Sequence, residues 1–320
     1  MVLSLSLLTG CYYMQAAKGQ WELTLKREPI EEVLASDDTS PELAARLRLV
    51  LEAREFAIDE LGLPDNDTYR TYADIEREYV VWNVFAVPEF SMQAKTWCFP
   101  IVGCVSYRGY FAREAAERKA RSLAQQGYDV AVGGVAAYST LGNLRDPVLS
   151  SMMSWDDSQL VGVLFHELAH QVLYVKNDTA FNESFATAVE EFGVLRWLQS
   201  RGLHAETNEY DERRRLRQDV MDQVANAREE LEAIYASDTA EDQKRSAKSA
   251  RLDALRKAVA EKLERAGRDP GGWLSRDLNN ARLVSMTLYE GRLPEFRALL
   301  ASCDDDLACF YEEARRLASR

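Results

Sequence analysis

The sequence predicts an α+β fold that holds one apolar, histidine-bearing helix and carries a charged helical hairpin as an insertion. Three observations point there. Strand-like runs of β-branched and aromatic residues alternate with helical patterns through the first half. Two of the three histidines, His166 and His170, sit in the apolar stretch VGVLFHELAHQVLY. Residues 206–266 carry charges of both signs with apolar residues on helical stripes. At 320 residues, 47% hydrophobic and 28% charged, the chain is long enough for one large or two modest domains with a real core. Its net charge of −13 gives none of the basic footprint that a phosphate backbone requires, so nucleic acid is excluded as the expected partner.

The chain opens with an apolar run, MVLSLSLLTGCYYMQ, that stops at Leu8-Thr9-Gly10-Cys11. This resembles the lipobox of bacterial lipoproteins, in which the cysteine becomes the lipidated first residue, although the usual preceding Lys or Arg is missing. The alternative is a short buried N-terminal segment. The lipobox reading makes residues 1–11 signal-like. It places the body on the periplasmic side of the bacterial envelope, attached to the membrane through a lipid on Cys11 alone. No later stretch approaches the ~18 apolar residues of a membrane span.

From Pro29 to Leu63 the pattern is helical: Thr39-Ser40-Pro41-Glu42 supplies a cap and a first-turn proline, and Leu43, Leu47, Leu51 and Ile58 keep an apolar face. YVVWNVFAV, residues 79–87, reads as a buried strand, and residues 97–107 hold another. Residues 111–126 form a helix stopped by Gly127. Tyr128 to Val132 continues as strand toward Ala137-Tyr138-Ser139-Thr140.

Apart from Cys11, four cysteines stand in two local pairs, Cys98 with Cys104 and Cys303 with Cys309. Three connectivities are open, as are buried free thiols, and export of the chain would favour the two local disulfides. Neither pair has the spacing of a structural zinc module.

The charged segment reads as two antiparallel helices around a turn at Ser237-Asp238-Thr239, closed by Gly267 to Gly272. Val220, Val224, Ala227, Leu231 and Ile234 form one stripe, and Leu252, Leu255, Val259 and Leu263 the other. Arg213-Arg214-Arg215 fits a solvated helix face, given the acids interspersed with it. The expected organisation is a signal-like segment at 1–11, a catalytic body at 12–204, the hairpin at 205–268, and C-terminal helices at 269–320 that complete the body.

The central apolar stretch predicts a helix over about 155–176, capped within Ser154-Trp155-Asp156-Asp157, with Leu160, Val161, Leu164, Leu168, Val172 and Leu173 in helical register. Residues four apart share a helix face, so His166 and His170 point the same way with Glu167 beside them. Neutral imidazoles suit zinc, and a carboxylate alongside can take a proton from water that the metal activates. This is the His-Glu-x-x-His motif of zincin metallopeptidases. A catalytic zinc needs a third protein ligand. The candidate is Glu183 in FNESFA, with Asn182 as the cap of a second helix and Glu183 in its first turn. Glu190 is the runner-up ligand, or else a partner for a ligand histidine. His204 reads as a surface residue.

Beyond HELAH and FNESFA, the chain resembles the bacterial putative aminopeptidases, a family of lipoprotein-like zincins. The resemblance lies in WNVFAVPEF (82–90), WCFPIVGCVSYRGYF (97–111), AYSTLG (137–142) with DPVLSSMM after it, and NNARL (279–283). It implies an α+β, zincin-like metallopeptidase with one zinc per chain held by His166, His170 and Glu183, catalysis by Glu167, and a peptide substrate. Asn143-Leu144 departs from the aromatic residues expected there, so the rim of the pocket should differ. A zincin presents an edge strand to its substrate, here expected at Tyr138 to Leu141. Tyr138 and Tyr289 are candidates to stabilise an oxyanion. Whether the enzyme is an exopeptidase or an endopeptidase stays open, as does its oligomeric state. The alternative from another class is a zinc-binding lipoprotein that serves as an envelope assembly factor or holdase.

Overall fold

The computed structural model describes residues 4–99, 103–137, 139–141, 144–271, 277–288 and 291–319, with side chains from Tyr12 onward. Tyr138, Asn143, Gly272 and Tyr289 lie outside the described residues. The chain is a mixed α+β protein in which helices dominate and the sheets are small.

Helix α1 (Ser4–Leu25) runs unbroken through Cys11 and is followed by strand β1 (Arg27–Pro29). The helical pattern expected from Pro29 to Leu63 divides into α2 (Ile30–Ala35) and α3 (Pro41–Asp59). The break has a local cause. Thr39 Oγ1 donates back to Val33 O, the Ser40 side chain accepts from Leu43 N, and Pro41 at the first helical position has no N–H to continue the earlier helix. Strand β2 (Thr71–Ala73) then pairs antiparallel with β1.

The main sheet is built on β3 (Val81–Pro88), and sequence explains its central place. Val84 and Ala86 face one side and Phe85 and Val87 the other, all buried, so apolar residues occupy both faces. After the β4 (Trp97–Phe99) and β5 (Gly103–Val105) hairpin comes β6 (Arg108–Tyr110), antiparallel on one edge of β3. Strand β7 (Tyr128–Val135) pairs antiparallel on the other edge, with Val81 opposite Val135 and Pro88 opposite Tyr128. Helix α4 (Arg113–Ala124) lies between them and covers the Val84–Ala86 face with Ala116, Ala120 and Leu123. Cys98–Cys104 closes the β4–β5 hairpin, and Cys303–Cys309 forms the second disulfide.

Strand β8 (Val148–Leu149) runs parallel to β2, and a 3-10 turn at Ser150–Met152 leads into α5 (Asp157–Val172) and then α6 (Thr179–Ser200). The charged hairpin follows as α7 (His204–Ala236) and α8 (Glu241–Arg265). It covers the Phe85–Val87 face of the sheet, burying Val220, Val224, Leu231, Leu252, Leu255 and Val259 there together with α9 (Asn280–Thr287). Buried polar groups fix this docking. Lys248 Nζ donates to Asp129 at 2.6 Å and to Glu89 O at 2.9 Å, while Asn280, fully buried, donates its backbone N–H to Asp129 and its amide to Glu89 O and Ser91 O. Asn279 caps α9 and donates to Val130 O, which gives the NNARL stretch a structural role. His204 is exposed at the start of α7. Arg213, Arg214 and Arg215 are ion-paired with Asp156, Asp211 and Glu191.

Helices α10 (Leu293–Ser302) and α11 (Leu307–Ala318) close the core that α3, α5 and α6 share. Phe185 stacks on Phe310 at 5.6 Å between ring centres and meets Phe296 edge-on, and all three rings are fully buried. Removing the Phe185 ring would leave a cavity that this rigid cluster cannot close. Phe185→Ala should therefore cost about 3–5 kcal/mol of stability in denaturant unfolding. A loss near 1 kcal/mol would show that the cluster repacks.

Candidate metal centre and cleft

The site begins with the cap of α5. Asp156, rather than Ser154, provides it, its carboxylate accepting from Gln159 N at 2.8 Å. The apolar residues Leu160, Val161, Leu164, Phe165 and Leu168 bury the helix, which leaves His166, Glu167 and His170 on the side that faces a cleft. After α5 ends, the chain turns through Asn177, which has a φ of 69°. Helix α6 starts earlier than the sequence suggests, capped by Asp178 through Phe181 N. Asn182 is therefore not a cap. Its side chain accepts from Val175 N at 2.7 Å and donates to Val175 O at 2.8 Å, clamping the connection, and Glu183 consequently falls one turn further into the helix.

Two glycines let α5 and α6 approach closely. A Cβ on Gly162 would stand 3.2 Å from Val194 and 3.3 Å from Glu190, and one on Gly193 would stand 2.7 Å from Phe165 and Leu61. This closeness delivers both α6 carboxylates to the histidines. Glu183 Oε2 lies 3.2 Å from His166 Nε2 and 3.6 Å from His170 Nε2, and the two Nε2 atoms are 3.2 Å apart. The same three residues form the one group among the described residues that could hold a metal ion. Tetrahedral zinc with bonds near 2.0–2.1 Å separates its ligand atoms by about 3.3–3.4 Å, so the donor set of two imidazoles and one carboxylate fits in type and in spacing. Glu190 accepts from Nδ1 of His166 at 3.0 Å, which leaves the Nε2 lone pair facing the cluster. The Nδ1 atom of His170 is buried with no hydrogen-bond partner among the described residues.

The electrostatics show what the cluster demands. Burial would push the Glu183 carboxyl up, but the ring nitrogens of His166 and His170 against it outweigh this and hold it at about 2. Burial would likewise depress His166, yet the Glu183 and Glu190 carboxylates raise it well above the ordinary imidazole range. Carboxylate and imidazoles are thus set to share a positive charge, which a proton or a metal ion can supply. Glu167 differs: burial pushes its carboxyl up, His166 and His170 pull it partly back, and Glu183 and Asp146 add to the rise. It lines the cleft without joining the three converging atoms.

The cleft has a volume of about 310 Å³, at the small end of ligand sites. Among the described residues lining it, Glu167 and Glu183 are the only carboxylates, and Phe99, Val105, Tyr107, Phe111, Val135 and Leu141 make much of the wall apolar. The disulfide-closed hairpin contributes Phe99 and Val105. It is seated on the loop before α6 by a hydrogen bond from Cys104 N to Asn177 Oδ1 at 2.8 Å. Helix α1 contributes Tyr12 and Ala16, with Tyr12 packed on Phe99 and Tyr110 beneath the Arg108 guanidinium.

Of the segment expected as an edge strand, Tyr138 to Leu141, the described residues Ser139 to Leu141 are not in a strand. Ser139 to Leu141 form a turn, with Leu141 at a φ of 57°, because the buried Asp146 carboxylate accepts from Thr140 N at 2.7 Å, from Thr140 Oγ1 at 2.8 Å and from Ser139 Oγ. The oxyanion candidates Tyr138 and Tyr289 lie outside the described residues. The phenol that the structure does bring to the cleft is Tyr174, whose hydroxyl is raised first by burial and then by the charge of Glu183. Tyr69 joins from behind, with a φ of 60° and its backbone N–H on Asp146 O at 2.7 Å; burial, then Glu167 and Asp146, raise its hydroxyl. The sequence singled out neither tyrosine: Tyr69 lies in a loop with no periodicity, and Tyr174 falls within the helix expected over about 155–176, which ends at Val172 and so frees Tyr174 to face the cleft. Asp146 had a faint signal as the first residue of DPVLSSMM.

Fold and cluster together define an α+β protein with a buried site suited to a metal ion. The chain belongs to the family described as putative aminopeptidase, which it matches over residues 11–320, and the family supports peptide hydrolysis as its general activity. No curated protein and no solved structure gives a significant match.

The geometry separates the two α6 carboxylates by role. Glu183→Ala should lose tightly bound metal, whereas Glu190→Ala should keep the stoichiometry and weaken affinity by roughly 10–100-fold, as the loss of a partner to a ligand histidine does. Elemental analysis after dialysis checks this. Metal retained in Glu183→Ala and lost in Glu190→Ala would reverse the assignment.

Proposed function

We propose that the protein is a zinc-dependent peptidase of zincin type, acting as an aminopeptidase in the bacterial envelope. The observation that carries this reading is the convergence of His166 Nε2, His170 Nε2 and Glu183 Oε2 at 3.2–3.6 Å, with Glu167 beside them on the cleft wall. His166, His170 and Glu183 would hold one zinc ion. Bound there, zinc supplies Lewis-acid activation of water and of a peptide carbonyl.

The chain's own contribution is proton transfer and positioning. Glu167, raised by burial yet partly restrained by two imidazoles, is suited to accept a proton from water and to pass it to the departing amine. Glu190 keeps His166 in the tautomer that offers Nε2. The apolar wall excludes water and favours an apolar residue beside the scissile bond. The small volume of the cleft, which Tyr12 and Ala16 line, suits the end of a peptide better than its middle.

Glu167→Gln should keep about one zinc per chain and lower kcat by about 10²–10⁴-fold, because the amide cannot take a proton. On matched peptides, the zinc-loaded wild type should turn over the free N-terminus faster than the acetylated form. Equal cleavage of both at internal bonds would make it an endopeptidase. A chain that binds zinc but cleaves neither would favour the holdase reading.

Attachment at the envelope rests on Leu8-Thr9-Gly10-Cys11. Tyr12, the next residue, lines the cleft, so a lipid on Cys11 would bring the cleft close to the membrane. Intact-mass measurement of the native protein should show a diacylglycerol-type adduct on Cys11. An unmodified thiol there would overturn this location.

A further inference from the structure

Helix α1 has two apolar faces, and the protein covers one of them. The inner face is closely packed. Tyr12 sits among Phe99, Tyr110 and Arg108; Gln15 accepts from Phe111 N at 3.1 Å; Leu23 is buried in the core; and Gly19 lies against the Phe111 ring so tightly that a Cβ would stand 2.1 Å from its Cγ. The outer face carries Met14, Ala17, Lys18, Trp21 and Leu25, spaced 3, 4, 7 and 11 residues from the first, so they form one stripe. Met14 is 66% exposed, Trp21 64% and Leu25 68%, and with Tyr13 at 48% they account for four of the five exposed large apolar residues among those described.

A helix that is apolar all round is stable where both faces are covered. Here nothing among the described residues covers the outer one. Three features say what fits it. First, the stripe is continuous from Met14 to Leu25 along α1. Second, in a chain of net charge −13, the stripe holds a lysine and no carboxylate; the helix's one acid, Glu22, is turned to Arg77 at 2.9 Å. Third, tryptophan and lysine suit the boundary between headgroups and acyl chains, where an indole lies flat and an ammonium reaches phosphate. No helix among the described residues is long and apolar enough to cross a membrane, so this one would lie along the surface.

We infer that the outer face of α1 is a lipid-binding surface that seats the protein on a bilayer, independently of any lipid on Cys11. The consequence for the cleft is direct. Because Tyr12 and Ala16 line it from the opposite face of the same helix, the bilayer and the metal cluster would lie on the two sides of α1. Peptides held at the membrane surface would then be the substrates nearest to hand.

The test uses the full chain with Cys11→Ser, so that acylation cannot contribute, and phosphatidylcholine vesicles with and without phosphatidylglycerol. The chain should co-sediment with the vesicles, more strongly with phosphatidylglycerol present. Adding Met14→Ser, Trp21→Ser and Leu25→Ser should weaken binding by about tenfold or more, since each removes apolar area from the interface. Lys18→Glu should weaken it mainly on the anionic vesicles. The altered side chains are exposed, so unchanged circular dichroism and metal content would confirm that the body is intact. Equal binding by the parent and the triple variant overturns the inference, as does no binding to either vesicle. Self-association without vesicle binding, abolished by the triple substitution, would assign the face to a second copy and also overturn it. None of these readouts depends on peptide hydrolysis, so the inference and the peptidase reading can fail separately.

Discussion

The close approach of α5 and α6 is the constraint on which the rest of the site depends. A Cβ at Gly193 would stand 2.7 Å from Phe165, closer than real Cβ contacts come, and one at Gly162 would crowd Val194 and Glu190 at 3.2–3.3 Å. At that spacing Glu183 and Glu190 reach the two ring nitrogens of His166 from opposite sides. The helices are then held by their apolar surroundings. Phe181 and Phe185 from α6 pack into the ring cluster with Phe296 and Phe310, and Leu164, Phe165 and Leu168 of α5 fill the same core.

Such an arrangement concentrates charge in a place where charge is costly. His166, His170 and Glu183 are each less than a tenth exposed, and an uncompensated buried ion costs several kcal/mol. Mutual proximity offsets part of this, as the depressed Glu183 and elevated His166 show. Two imidazole nitrogens 3.2 Å apart beside a carboxylate still require a cation or a proton among them. Occupancy of the cluster is therefore coupled to the stability of the α5–α6 pair.

The sheet and the hairpin serve this pair from the other side. Strands β3, β6 and β7 are covered on one face by α4 and on the other by α7, α8 and α9, with the Lys248–Asp129–Asn280 contacts fixing the register between them. The charged hairpin is thus one wall of the fold. Cleft residues are drawn from separate elements, Val81 from β3, Val105 from β5, Ala137 beyond β7 and Tyr12 from α1, so the cleft exists only when all of these are assembled.

What the sequence determined by itself is local and periodic. His166, Glu167 and His170 share a side of α5 because helical geometry places residues four apart together. The strand at 81–88, the two hairpin helices and the Ser40–Pro41 start of α3 follow from patterns a few residues long. Glu183 stood out through its neighbours in FNESFA, but its reach to the histidines and the division of labour with Glu190 came from the distance between two helices, which no local pattern encodes. The same holds for Asn182, which clamps Val175 where a cap was expected, and for Ser139 to Leu141, drawn into a turn by the Asp146 carboxylate where a strand was expected. The tertiary structure alone brought Tyr69 and Tyr174 to the site and left one apolar face of α1 uncovered. These features depend on contacts between segments distant in sequence, and such contacts are set only when the whole core closes.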